Sequence, residues 1–111
     1  MDVSKEAVKS KLKISDDIMI TIARLAALDV KGVAGLGGEI NKMSRLRKNG
    51  PIKINMMSDV AAIDIRIKVK WGEKARTVAL DVQNAVKENI QNMTGVTVAR
   101  VNVTISGVVF E

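Results

Sequence analysis

"AIDIRIKVKW", residues 62–71, alternates apolar and charged side chains without a break. Ile63, Ile65, Ile67, Val69 and Trp71 share one face, and Asp64, Arg66, Lys68 and Lys70 share the other. Successive side chains of a strand point to opposite faces. The segment therefore reads as a strand of a sheet covered on one side and open on the other. Just upstream, "IKINM" (52–56) repeats the pattern, with Ile52, Ile54 and Met56 on one side and Lys53 and Asn55 on the other. "SDVA" between them supplies a turn, so the two strands form an antiparallel hairpin.

Downstream the period changes. Ala75, Val78, Ala79, Val82, Ala85, Val86, Ile90 and Met93 recur at helical spacing, which predicts an amphipathic helix over 74–93 laid on the covered face. Gly95 is its expected stop. "TVARVNVTISGVVF" (97–110) returns to alternation. Ala99, Val101, Val103 and Ile105 are expected inward, Arg100, Asn102, Thr104 and Ser106 outward, with a bulge at Gly107.

Toward the N-terminus, Ser15 reads as a helix cap and Asp16 and Asp17 suit the positive end of a helix dipole. Ile14 and Met19 stand at staple positions. The helix should run over 16–30 and is apolar almost all round. Ile18, Ile22, Leu25, Ala26 and Asp29 form one line, Met19, Ala23, Ala26 and Val30 the next, and Ile20, Ala27 and Leu28 widen the band. A helix of that kind is normally buried, and the excess over one face predicts a second contact. Gly32 is expected to end it in a left-handed conformation. Residues 31–51 read as irregular, with a short helical piece over 39–47, and "KLKIS" (11–15) as a short first strand.

The predicted fold class is α+β: a two-layer sandwich in the order β-α-β-β-α-β, two helices packed on one face of a small mixed sheet. One domain over 11–111 follows a flexible N-terminus, 1–10.

Composition narrows function. The hydrophobic fraction is 47% and the charged fraction 27%, as in a folded domain. The chain has no cysteine and no histidine, which removes disulfides, thiolate metal sites and the usual general base. No acidic residues converge as an acid/base pair: Asp16 and Asp17 fit capping, and Asp64 fits a surface pair. No catalytic, cofactor or metal site is expected. No apolar run reaches the roughly 18–20 residues of a membrane span, and "MDVSKEAVKSKLK" lacks the apolar core of a secretory signal. The expected location is cytoplasmic.

The net charge is +6. "KMSRLRK" (42–48) holds Lys42, Arg45, Arg47 and Lys48 and no acid. These, with Arg66, Lys68, Lys70 and Arg100 on the open sheet face, are the candidate contacts for an acidic partner. A solvated basic loop is the plain alternative. "GLGG" (35–38) matches the GxxG loop of a KH nucleic-acid module, but only one firm helix adjoins it, and glycine is the default in strained turns. Nucleic-acid binders also stack bases on exposed aromatic rings. Trp71 and Phe110, the only aromatics, fit the apolar pattern instead.

Three stretches carry a resemblance: "KISDDIMITIARLAALDVKGVAG", "AAIDIRIKVKWG" and "VQNAVKENIQNMTGVTVARVNVTISGVVFE". Together they resemble the bacterial alkaline shock protein family, over about residues 11–111. The resemblance implies a non-enzymatic protein linked to alkaline and cell-envelope stress. Some members self-associate and are held near the membrane by a separate membrane-anchored partner. Others are encoded near lipid-synthesis genes. It implies no catalytic residue. Many relatives are acidic, whereas this chain is basic.

The reading is a self-associating, non-catalytic scaffold or adaptor, peripheral at the membrane through a protein partner, with Ile18, Ile22, Leu25 and Leu28 serving core and assembly together. The alternatives are a basic KH-like nucleic-acid module and a soluble regulator of a lipid-synthesis enzyme.

Overall fold

The computed structural model describes residues 15–37 and 51–110. Their elements are α1 (Asp16–Leu28), β1 (Val33–Leu36), β2 (Ile52–Met57), β3 (Val60–Lys70), α2 (Ala75–Thr94) and β4 (Thr97–Val109). The expected α+β sandwich is present, and its described elements run α-β-β-β-α-β. The strand expected over 11–15 falls outside the described residues up to 14, and Ser15 is a helix cap.

β3 is the centre of the sheet. β4 pairs along its whole length in parallel, from Val60↔Thr97 to Lys70↔Val109. Parallel neighbours need a long crossover, and α2 provides it. Two side chains tie α2 to β4: Gln83 Nε2 donates to the Val101 carbonyl (3.0 Å) and Gln91 Oε1 accepts from the Val98 N–H (3.0 Å).

The opposite edge of β3 holds two strands end to end. β1 pairs antiparallel with its far half, with Leu36 opposite Ile67. β2 pairs with its near half, beginning with Ile52 opposite Ile65. Between them, the Gly37 N–H donates to the Arg66 carbonyl (2.7 Å), and the Arg66 N–H donates to the Pro51 carbonyl (2.9 Å). Arg66 thus receives from two residues the donor and acceptor that one strand residue would supply. β1 and β2 are halves of a single strand, and the chain leaves and re-enters the ladder at Arg66. The 33–36 strand lies inside the stretch expected to be irregular. Its four residues include Ala34 and Gly35, both weak strand formers, so no local signal marks it.

This register makes a prediction. Joining Gly37 directly to Ile52 restores consecutive pairs, with Leu36, Ile52 and Ile54 still alternating inward. A chain lacking residues 38–51 is expected to fold with its thermal midpoint unchanged or raised, because it no longer closes a loop. Circular dichroism melting checks it. A drop of about 10 °C or more would mean that the excursion is part of the fold.

The core lies between the sheet and both helices. Met19, Ile63, Ile65, Ile67, Val69, Val82, Val86 and Ile90 are its largest fully buried side chains, and among the described residues no polar side chain is buried. α1 enters through Met19, Ala23, Ala26 and Ala27, and its alanines let it lie close to β1, β2 and α2. Ser15 Oγ accepts from the Ile18 N–H (3.2 Å), as its capping role requires. The helix stops at Leu28 with Asp29 as cap, two residues earlier than expected. Gly32 is left-handed (φ +98°) but acts in the turn into β1, where an added Cβ would lie 2.7 Å from Val78 Cγ2.

Several inward expectations fail at the rims. Met56 and Met93 are exposed, each next to the last residue of its element. Ala99 is also exposed, and Val98 takes the core position. The ladder shifts between Ala61 and Ala62, so Ala99 is an extra residue that resets the alternation. A second shift, between Ile67 and Lys68, makes Ser106 the extra residue beside the expected bulge at Gly107. The Ser106 hydroxyl donates to the Ile67 carbonyl (3.2 Å). Its side chain occupies the place a Cβ at Gly37 would take, so the strand break sits where only glycine fits.

Candidate functional site

α1 presents two faces. Its alanine side is in the core, while Ile18, Leu25 and Leu28 are 50%, 62% and 44% exposed. Ile22, half-buried, borders both. At 100° per residue, positions 18, 22 and 25 lie on one line and 28 flanks it. The structure thus separates roles expected to coincide: Met19, Ala23, Ala26 and Ala27 build the core, while Ile18, Leu25 and Leu28 form an apolar stripe toward solvent. An isolated exposed leucine is ordinary; here three large apolar side chains are exposed on one helix.

The second surface is the open sheet face. Arg66, Lys68 and Lys70 stand in a row along β3, with Arg66 and Lys70 exposed and Lys68 half-buried. Residues two apart on a strand are about 6.7 Å apart. The flanks of the row carry little: Gly35 and Gly107 lie opposite Lys68, and Gly37 bonds to Arg66. Lys68 thus has glycine on both sides, whereas Thr104 and Val109 of β4 lie opposite Arg66 and Lys70.

Arg100 does not join this row. It pairs with Ala62, four positions from Arg66 along β3. Asp64 lies between them, its Oδ1 accepting from Asn102 Nδ2 (2.8 Å). Lys53 is the register partner of Asp64 on the other side, a favourable cross-strand pair of opposite charges. Lys42, Arg45, Arg47 and Lys48 lie outside the described residues. Gly37 and Pro51, the described residues on either side of that stretch in sequence, both bond to Arg66, the first cation of the row.

The GxxG quartet is not a loop between helices. Gly35 and Leu36 are in β1, Gly37 is bonded to Arg66, and Gly38 is outside the described residues. The quartet does not end α1 either, a task that falls to Asp29. Among the described residues no group of acidic side chains is arranged to hold a metal ion.

Sequence reasoning missed the aromatic residues. Trp71 lies in the turn after β3, one step past the strand's last residue, so the alternation no longer applies. It stacks on Phe110 instead, and both rings are exposed. The end of the charged alternation at Lys70 and the glycine at position 72 were the available signals.

Comparison with known proteins agrees with this architecture. The uncharacterized Bacillus subtilis (strain 168) protein YqhY is 26% identical over 106 residues, covering 91% of this chain and 78% of that protein. The uncharacterized protein YloU of the same strain is 27% identical over 116 residues, covering 97% of this chain and 96% of that protein. Among solved structures, MamM-CTD superposes with a TM-score of 0.54 at 15% identity, over 84% of this chain and 99% of that one. That likeness concerns the fold alone. A family model described as having a cell envelope-related function matches residues 4–110, and this is the alkaline shock protein family. The chain therefore belongs to the alkaline shock protein family, the one that its sequence resembles.

Proposed function

We propose that this protein is a non-catalytic, self-associating scaffold or adaptor at the cell envelope, held near the membrane by a protein partner. The observation that carries the reading is the apolar stripe of Ile18, Leu25 and Leu28, exposed on a helix whose other side already supplies the core. Covering such side chains is favourable by about 25 cal/mol per Å², and a second copy of the same surface is a self-complementary way to do so.

Partner choice falls to the cations. Arg66, Lys68 and Lys70, with Lys42, Arg45, Arg47 and Lys48 on the adjoining excursion, would attract an acidic protein surface by electrostatic steering. Arg100 would contribute from farther along the face. The same row is the one feature that favours nucleic acid. Binding to phosphates alone would be strongly salt-dependent and indifferent to sequence.

A fluorescent fusion in the native host tests the reading. The expected signal is peripheral, becoming diffuse when residues 38–51 are excised or when Lys42, Arg45, Arg47 and Lys48 are neutralised. A signal over the nucleoid would move the nucleic-acid module to first place. An even spread of the unaltered protein would favour a regulator of a cytoplasmic enzyme, including one of lipid synthesis.

A further inference from the structure

Among the described residues β4 pairs with β3 alone, so its other edge has no strand beside it. Arg66 turns both its backbone groups toward Gly37 and Pro51, away from β4. The odd-numbered residues of β3 therefore bond toward β4. Their register partners Val98, Val101, Val103, Ile105 and Val108 point their own N–H and carbonyl groups outward. α2 guards the start of this edge: Gln91 accepts from the Val98 N–H and Gln83 donates to the Val101 carbonyl. Among the described residues nothing takes the outward groups of Val103, Ile105 and Val108. Open edges are commonly blunted by charge or proline, yet residues 101–110 contain neither.

The layer above decides what fits there. The outer strands of a sheet three strands wide lie about 9.6 Å apart, and packed helices lie about 8–10 Å apart. α1 accordingly stands over β1 and β2, and α2 over β4. A second copy joined edge to edge at β4 would bring two α2 helices to about one strand spacing, roughly 4.8 Å, which is too close. The open edge therefore suits a strand that carries no helix of its own.

Charge narrows it further. At about 100° per residue, Arg76, Leu80 and Lys87 lie within about 20° of the direction midway between Gln83 and Gln91, and Glu88 about 100° from it. Leu80 is 50% exposed, and both cations are exposed. Glu73 and Asp81 line a cleft with Lys31, beside the turn from α1 to β1. The side of α2 above the edge thus offers an apolar side chain and two cations.

We propose that the open half of β4 takes up an extended acidic segment of a partner protein as an added strand. Main-chain bonds to Val103, Ile105 and Val108 would hold it, with an apolar side chain toward Leu80 and carboxylates toward Arg76 and Lys87. The inference rests on the protein partner of the proposed function and says how that partner is gripped. A peripheral fusion signal with no strand bound at β4 would sink it and leave that reading standing.

The whole purified chain is mixed with the synthetic peptide Glu-Thr-Val-Thr-Glu-Thr, and amide hydrogen exchange is followed by NMR. The expected result is slowed exchange at Val103, Ile105 and Val108. Methylating alternate peptide nitrogens should abolish binding in one phase and spare it in the other, because only one phase faces the edge. Arg76→Glu with Lys87→Glu should weaken binding roughly tenfold or more and favour a peptide with lysine for glutamate. Both positions are exposed, so this variant should melt as the wild type does. No protection of the three amides would overturn the proposal, as would binding indifferent to methylation, which is adhesion by charge alone. Protection that grows with protein concentration without peptide would overturn it in favour of a second copy.

Discussion

Ile67→Ala is expected to remove about 2–5 kcal/mol of stability, from a domain whose total is on the order of 5–15 kcal/mol. Ile67 is fully buried, faces the helices and sits in register with Leu36 on one side and Ile105 on the other. It lies beside the point where β1 gives way to β2, so the cavity opens where the sheet edge is interrupted. Ile67→Asp should leave the chain unfolded. A buried carboxylate without a partner costs several kcal/mol, and among the described residues the core holds no buried polar side chain to meet it. Lys70→Ala, three positions on and exposed on the open face, should change stability by less than about 0.5 kcal/mol. Urea unfolding followed by circular dichroism measures all three. A loss below about 1 kcal/mol for Ile67→Ala would contradict the placement of β3 at the centre of the core.

That placement was legible in the sequence because alternation is a local signal with a strict period. Ile63, Ile65, Ile67 and Val69 are buried as their spacing demands, and Val78, Val82, Val86 and Ile90 line the covered side of α2. What the sequence hid depends on partners distant along the chain. β1 is too short and too poor in strand formers to announce itself, and it exists because β3 offers it an edge. Ala99 breaks the alternation of β4 through a bulge that no residue type marks. Trp71 continues the pattern of β3 in sequence, yet the strand ends one residue earlier. The surplus apolar character of α1 was visible, but not its division into a buried alanine side and an exposed side of Ile18, Leu25 and Leu28. Only the position of α2 and the sheet decides that. The row of Arg66, Lys68 and Lys70 was visible as well, whereas the separation of Arg100 from it follows from the register of β4.

Ile18→Lys together with Leu25→Lys is expected to weaken self-association by about a hundredfold or more. Burying one leucine or isoleucine is worth about 1.5–3 kcal/mol, each copy loses two of them, and the new charges repel across a symmetric contact. Stability of the single chain should change little, within about 0.5 kcal/mol per site, because neither residue belongs to the core. This pairing of a large loss of assembly with an intact fold distinguishes a contact surface from a buried helix face. Met19→Lys, on the opposite side of the same helix and fully buried, should instead unfold the chain.

Light scattering on the purified chain across a wide concentration range, beside the Ile18→Lys, Leu25→Lys double variant, tests the central claim most directly. The expected result is a mass that rises with concentration to a multiple of the single chain, and a double variant that stays at the single-chain mass. A wild-type chain that remains monomeric at the highest concentration would contradict self-association. A double variant that assembles as well as the wild type would remove the α1 stripe as its cause.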